Sequence, residues 1–154
     1  MKYNPLALKD QLTAELTHNI LPFWMNRMKD NLHGGFYGQI RGDGQLVPGA
    51  DKGGILNARI LWTFSSAYRT FKNPDYLATA TSARDYIFTH FFDPDFQGTF
   101  WSVDYLGNPQ DAKKQIYSQA FFIYALAEYY QATSDTQSLD ATKALFLLIE
   151  KYSF

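Results

Sequence analysis

The chain has 154 residues, a formal net charge of −1 and no cysteine. Its 14 basic residues are scattered, which argues against a nucleic-acid or anionic-membrane surface, and the lack of thiols excludes disulfides and thiolate chemistry. Aromatic residues make up 18% of the chain, which favours a dense core or a site that stacks ligands such as sugars. No membrane span or signal peptide is predicted, so we expect a soluble cytoplasmic protein.

The first third of the chain predicts a helix followed by a short hairpin. Asn4-Pro5 is typical of an N-cap and a first helical position, and leucines at helical spacing follow it. Pro22 is expected to kink or restart this helix. After the break at His33-Gly34-Gly35, the short extended stretches 36–40 and 45–47 flank a glycine-rich turn and predict the hairpin.

A helix that is apolar on nearly every side is predicted over residues 52–71. A helix of this kind is normally buried on all sides. Arg59 nevertheless lies in its first half, and arginine is rarely buried without a partner because its charge is costly to desolvate. Arg59 therefore either pairs with a carboxylate inside the protein or faces a cavity that binds something anionic or polar. The helix that follows, from Asn73-Pro74 to His90, has one apolar and one polar face.

The sequence then repeats itself with a long period. Asn57-Ala58 returns as Gln119-Ala120, 62 residues later, in a second apolar helix predicted over residues 114–131 and followed by an amphipathic helix over 136–152. Repeated pairs of apolar and amphipathic helices predict an inner and an outer ring, that is, an all-α toroid with short β-hairpins in its loops. About two and a half helical hairpins are present, so we expect residues 1–154 to be the incomplete N-terminal part of one barrel domain of roughly 350–400 residues.

Helical phase predicts which side chains face the central cavity. Positions 55, 59 and 62 share one face of the first apolar helix, and the repeat maps them to 117, 121 and 124. The predicted set is Arg59, Trp62, Tyr117, Phe121 and Tyr124. Aromatic rings stack on the apolar faces of sugars, and arginine binds an oxygen that gains negative charge. The alternatives are core packing for the aromatic residues and a buried ion pair for Arg59.

Other polar residues receive structural interpretations. Asn57 and Gln119 lie off this face and are expected to hydrogen-bond between helices or to loops. Asp93 and Asp95 are separated by Pro94, so they predict a turn rather than the carboxylate pair of a glycosidase. No dense cluster of metal ligands occurs in the sequence, so we expect no metal site.

Residues 57–64 (NARILWTF) and 114–121 (KQIYSQAF), with weaker support from 33–38 (HGGFYG), resemble the acylglucosamine 2-epimerase family, and within it most closely the cellobiose 2-epimerases. The resemblance implies the N-terminal part of an (α/α)6 barrel that converts the reducing-end glucose of cellobiose or related β-1,4-disaccharides into mannose without a cofactor. It further implies proton transfer at C2 through a cis-enediolate. Arg59 would hold the sugar oxygens and stabilise that enediolate, and Tyr117 would line the sugar site.

The same resemblance assigns the acid/base histidines, with a supporting glutamate, to later hairpins. His18, His33 and His90 do not match them, so the chain alone is expected to be nearly inactive. The expected partner is a small-molecule sugar. The alternatives are an N-acylglucosamine 2-epimerase or a mannose isomerase on the same fold, or a non-catalytic carbohydrate-binding or helical-repeat remnant.

Overall fold

Two helical hairpins lie side by side behind an N-terminal helical segment. The computed structural model describes residues 4–153. The helices are α1 (Pro5–Glu15), α2 (Gly54–Phe71), α3 (Pro74–His90), α4 (Ile116–Thr133) and α5 (Thr136–Ser153). The inner helices α2 and α4 pack against each other, and α3 and α5 pack behind them as the second helix of each hairpin. Across the described range, no helix is both long and apolar enough to cross a lipid bilayer.

The N-terminal segment is one helix that widens around a proline. It begins at Pro5 because the Asn4 side chain accepts hydrogen bonds from two backbone N–H groups of the first turn. Beyond α1 the chain continues through two π-helical turns, Leu16–Ile20 and Phe23–Arg27, on either side of Pro22. Proline lacks an N–H group, and the wider turns accommodate the missing bond. The predicted kink at Pro22 is thus a local widening of the helix.

Short antiparallel strands fill the loops, as predicted. The first predicted hairpin closes with a bridge between Ile40 and Leu46. A three-stranded sheet of order β1-β2-β3 is formed by β1 (Lys52–Gly53), β2 (Ser102–Val103) and β3 (Pro109–Asp111). Because β1 directly precedes α2, this sheet ties the start of the first inner helix to the loop of the second repeat.

The two inner helices confirm the repeat. Each has 18 residues, and α4 begins 62 positions after α2. Each ends at a residue in the left-handed conformation, Lys72 with φ 57° and Ser134 with φ 63°. Both helices begin two residues later than predicted, because Lys52 belongs to strand β1 and Lys114 lies in the loop before the extended N-cap residue Gln115.

The prediction that the inner helices are buried on all sides is wrong. Leu61 and Phe64 of α2 and Phe122 of α4 are fully buried between the hairpins. Tyr117 and Tyr124 of α4, in contrast, are 62% and 49% exposed. The helices pack on their neighbours through two faces, and the third face is open.

The loop before each inner helix is built in the same way in both repeats. Asp30 accepts hydrogen bonds from the N–H groups of two following residues, and Asp93 does the same. The Lys52 ammonium lies 2.9 Å from the Asp30 carboxylate, and the Lys114 ammonium lies 2.6 Å from that of Asp93. The predicted turn at Asp93 and Asp95 is confirmed, since the Asp95 N–H donates to the Asp93 side chain.

These pinned carboxylates make folding sensitive to acid. The Lys114 hydrogen bond lowers the pKa of Asp93 below 3.8, and although burial opposes the change at Asp30, hydrogen bonds from Lys52 and two backbone N–H groups also lower the pKa of Asp30. The unfolded chain therefore binds more protons in acid than the folded chain does, and stability falls as the pH drops below about 4.

We expect the melting temperature to fall as the pH drops below about 4, and to fall less steeply in Asp93→Asn. The exposed Asp10→Asn is the control, and equal pH slopes in all three proteins would contradict the assignment.

Candidate functional site

The five predicted site residues lie on adjoining faces of α2 and α4. Across the two helices, the rings of Trp62 and Tyr124 stack with centroids 5.0 Å apart and planes 14° apart. One turn towards the start of α4, Tyr117 contacts Phe121 edge to face, with centroids 5.0 Å apart. The two pairs form an open aromatic surface beside Arg59.

A cleft of about 430 Å³ runs along this surface. It is called the aromatic cleft here and is lined by Arg59, Trp62, Thr63, Phe121 and Tyr124. A smaller hollow of about 260 Å³ continues it towards Tyr117, between that residue, Ala120, Phe121 and Tyr124. All five predicted residues therefore line one connected surface.

A second cleft of about 470 Å³ lies on the other side of α2, against the N-terminal segment. It is called the apolar cleft here and is lined by Ile20, Trp24, Ile55, Leu56, Arg59, Ile60, Thr63 and Phe64. Arg59 and Thr63 are the residues that it shares with the aromatic cleft. These two side chains therefore lie at the boundary between the clefts.

Arg59 differs from the other arginines near the hairpins. Arg69 pairs with Glu128 at 2.7 Å, and Arg84 pairs with Asp135 at 2.9 Å. Within residues 4–153 no carboxylate lies within 4.0 Å of the Arg59 guanidinium. The side chain is exposed, because the face of α2 that carries it is open, and the alternative of an internal ion pair is not realised among the described residues. A strong cation without a neutralising carboxylate is thus presented to both clefts.

The two amide residues have structural roles. Gln119 donates to the Thr99 carbonyl and accepts from the Thr99 N–H, both at 2.9 Å, and thereby fastens α4 to the preceding loop as predicted. Asn57 instead donates to the carbonyl of Gly53, four residues earlier. The prediction that it bonds between helices or to a loop is wrong, because its amide bonds to the carbonyl of Gly53, the residue that directly precedes its own helix.

The histidines lie away from the clefts. His90 contacts the Gly107 carbonyl at 3.0 Å through Nδ1, and His33 packs edge-on against Tyr105. His18 is in the first π-helical turn. None of the three lines either cleft. In the part of the chain that the structure describes, no three histidine or acidic side chains are grouped to hold a metal ion.

Comparison with known proteins places this chain in a family. The family model of N-acylglucosamine 2-epimerase (GlcNAc 2-epimerase) matches residues 35–153. The chain belongs to this family. A cellobiose 2-epimerase from Bacteroides fragilis is 50% identical over 147 residues, which cover 96% of this chain and 38% of that protein. The chain thus spans little more than a third of the length of this cellobiose 2-epimerase.

Solved structures agree on the fold of the family. The cellobiose 2-epimerase from Bacillus thermoamylovorans superposes with a TM-score of 0.91 at 43% identity, over 94% of this chain and 37% of that one. A D-mannose isomerase superposes with a TM-score of 0.83 at 20% identity over 98% and 37%, and shows likeness of fold alone. The cellobiose 2-epimerases are (α/α)6 barrels, and this chain has the fold of about a third of one.

Thr63 is a cleft residue that the sequence analysis did not single out. It lies four positions after Arg59, and residues four apart are neighbours on one face of a helix. Helical spacing from Arg59 could therefore have found it. The prediction instead followed the aromatic residues and the repeat, in which position 63 corresponds to the apolar Ala125.

Proposed function

We propose that this chain supplies part of the sugar-binding site of a cellobiose 2-epimerase-type isomerase, whose barrel is completed by further helical hairpins. The observation that carries the proposal is the Arg59 guanidinium, which has no carboxylate partner in the described structure and adjoins the stacked rings of Trp62 and Tyr124. Stacked rings suit the apolar faces of a pyranose, and a fixed cation suits an oxygen that becomes negative. Identity of 50% to a cellobiose 2-epimerase supports this choice of substrate.

In the proposed reaction the reducing-end sugar ring opens and a base removes the proton from C2. The electron pair of the broken C–H bond forms a cis-enediolate across C1 and C2. Rotation about C2–C3 presents the other face, and a proton returns to C2 from there, so that glucose becomes mannose without net oxidation. We assign the acid and base to histidines of the further hairpins, because the three histidines of this chain lie away from the clefts.

Arg59 has the catalytic role in this proposal. Its guanidinium donates hydrogen bonds to the oxygens of the enediolate, where negative charge develops. Trp62, Phe121 and Tyr124 line the cleft beside it, and Tyr117 lines the adjoining hollow. These four residues would bind the sugar by stacking and shape. We further propose that the protein acts in the cytoplasm and that its substrate is a free sugar.

Incubating the complete protein with cellobiose in deuterated water is expected to give an epimerised product that carries deuterium at C2. The label follows because the removed proton exchanges with solvent while the enediolate exists. Mass spectrometry and proton NMR of the product measure it, with a sample lacking protein as the control. Epimerised product without deuterium would contradict the enediolate route. Absence of any epimer would contradict the proposed activity and favour a carbohydrate-binding remnant.

N-Acylglucosamine 2-epimerase activity is the second candidate, since that is the activity for which the matching family is described. Parallel assays with N-acetylglucosamine and with mannose separate the alternatives. We expect kcat/KM to be highest for the disaccharide. A preference for N-acetylglucosamine or for interconversion of mannose and fructose would reassign the substrate while leaving the fold unchanged.

A further inference from the structure

Among the helical threonines of residues 4–153, Thr63 shares with Thr13 and Thr136 a hydroxyl that makes no hydrogen bond. A threonine within a helix commonly donates its hydroxyl to the carbonyl four residues earlier. Six threonines do so at 2.8 to 2.9 Å, namely Thr17, Thr70, Thr79, Thr89, Thr133 and Thr142. Within residues 4–153, Thr63 makes no side-chain hydrogen bond. Its hydroxyl is therefore available to a ligand.

Thr63 lies where a ligand of the clefts could reach its hydroxyl. Thr63 and Arg59 are one helical turn apart and together line both clefts. Around them, the apolar cleft is formed by aliphatic and aromatic side chains. A sugar bound here displaces water from the threonine, and a hydroxyl left without a partner in such a site is costly. The bound molecule should therefore provide one.

The chemistry of the two side chains is complementary. A guanidinium donates hydrogen bonds and accepts none, so Arg59 suits an oxygen that bears negative charge. A threonine hydroxyl both donates and accepts, so it can receive the O–H of an uncharged sugar hydroxyl. Together they can recognise a reacting oxygen and a neighbouring hydroxyl of the same sugar.

We propose that Thr63 binds one hydroxyl of the reducing-end sugar beside the oxygens held by Arg59, and so determines which sugars react. This inference rests on the proposed function, because it assumes that the clefts bind a sugar. It assigns a specificity-determining residue in addition to Arg59 and the aromatic side chains.

The test compares Thr63→Val with Thr63→Ser in the complete protein. Valine keeps the shape and removes the hydroxyl, whereas serine keeps the hydroxyl. Thr70→Val is the matched control on the same helix, where the hydroxyl donates to the Ser66 carbonyl. The substrates are cellobiose and the two derivatives that lack the hydroxyl at C3 or at C6 of the reducing glucose, because the oxygens at C1 and C2 take part in the reaction itself. The readout is kcat/KM for every pair of protein and substrate.

We expect the unmodified protein to disfavour one deoxy derivative by about 3- to 10-fold, as the loss of one neutral hydrogen bond predicts. Thr63→Val should lose this discrimination, while Thr63→Ser and Thr70→Val should retain it. If the unmodified protein discriminates against none of the derivatives, the inference is overturned without any variant. It is also overturned if Thr63→Val slows all substrates equally and serine does not restore the rate, because that pattern indicates a structural role.

The companion variant Arg59→Ala distinguishes a failure of the Thr63 proposal from a failure of the proposed function. If Arg59→Ala is impaired and Thr63→Val behaves like the unmodified protein with every substrate, the Thr63 inference fails and the proposed function stands. If both variants retain full activity, the role assigned to Arg59 fails together with the inference. If the unmodified protein forms no epimer from cellobiose, the proposed function itself fails.

Discussion

Replacing Arg59 with alanine in the complete protein is expected to lower kcat/KM for cellobiose epimerisation by at least about 100-fold. The reason is that the guanidinium contributes most where charge develops, and in the proposed reaction negative charge develops on the enediolate oxygens as the proton leaves C2. Because Arg59 has no carboxylate partner within the described structure, its loss leaves no buried anion behind. We therefore expect a much smaller change in stability than in activity.

Two further variants sharpen this experiment. Arg69→Ala, on the same helix, removes an arginine whose partner is Glu128 at 2.7 Å, and it should leave kcat/KM nearly unchanged. Arg59→Lys keeps the positive charge but loses the planar, two-point contact that a guanidinium makes with paired oxygens. Its activity should lie between those of the unmodified protein and Arg59→Ala. The deuterium content of the product at C2 provides a second readout of the same step.

A folded Arg59→Ala protein with unchanged kinetics would remove Arg59 from the catalytic role. Equal losses in Arg59→Ala and Arg69→Ala would show that the charge of the helix, rather than the position of one guanidinium, affects the reaction. Circular dichroism and thermal unfolding of each variant establish that the comparison concerns folded proteins.

The fold could be predicted because the sequence contains two copies of the same helical hairpin. The 62-residue offset between Asn57 and Gln119 recurs between the starts of α2 and α4, and Lys72 and Ser134 end the two helices in the same conformation. Helix bounds were predicted to within a few residues. The two-residue error at the start of α2 arose because Lys52 pairs with strand β2, and cross-strand pairing is not visible in the composition of a single segment.

The site could be predicted in part. Helical phase grouped Arg59 with four aromatic residues, and the structure has these side chains along one surface. The open face of the two inner helices was missed, because hydrophobicity on every side of a helical wheel indicates that a helix has neighbours without saying on which faces they lie. Thr63 was missed because the prediction followed the aromatic residues and the repeat, in which position 63 corresponds to Ala125. What sets it apart is an unbonded hydroxyl at the boundary of the two clefts, which the coordinates reveal.

The buried pair between Lys52 and Asp30 was also missed, although its signal is present in the sequence. Asp30 and Asp93 are 63 residues apart, and Lys52 and Lys114 are 62 apart, which matches the drift of the repeat. In the first copy both side chains are completely buried, and the ammonium also donates to the Gly34 carbonyl at 2.7 Å. Lys52 stands two residues before α2. The pair therefore joins the glycine turn to the start of the helix that carries Arg59.

Replacing Lys52 with methionine is expected to destabilise the protein by about 3–5 kcal/mol, because it leaves the Asp30 carboxylate buried without its cation. Chemical unfolding measures this as a lower denaturant midpoint with an unchanged slope. Lys114→Met is the matched control from the second repeat. Its side chain is 28% exposed, whereas that of Lys52 is completely buried, so water screens this pair more and we expect a smaller loss than in Lys52→Met.

The double variant Lys52→Met with Asp30→Asn separates charge burial from packing. Asparagine is neutral, yet its side-chain oxygen still accepts the N–H bonds of Leu32 and His33 that the aspartate accepts. If the unpaired charge causes the loss, the second substitution should restore a large part of the stability that the first removes. Equal losses in Lys52→Met and Lys114→Met, or no recovery in the double variant, would instead assign the effect to the lost side-chain packing. In either case a weakened start of α2 should lower epimerase activity less than Arg59→Ala does, because the guanidinium itself is retained.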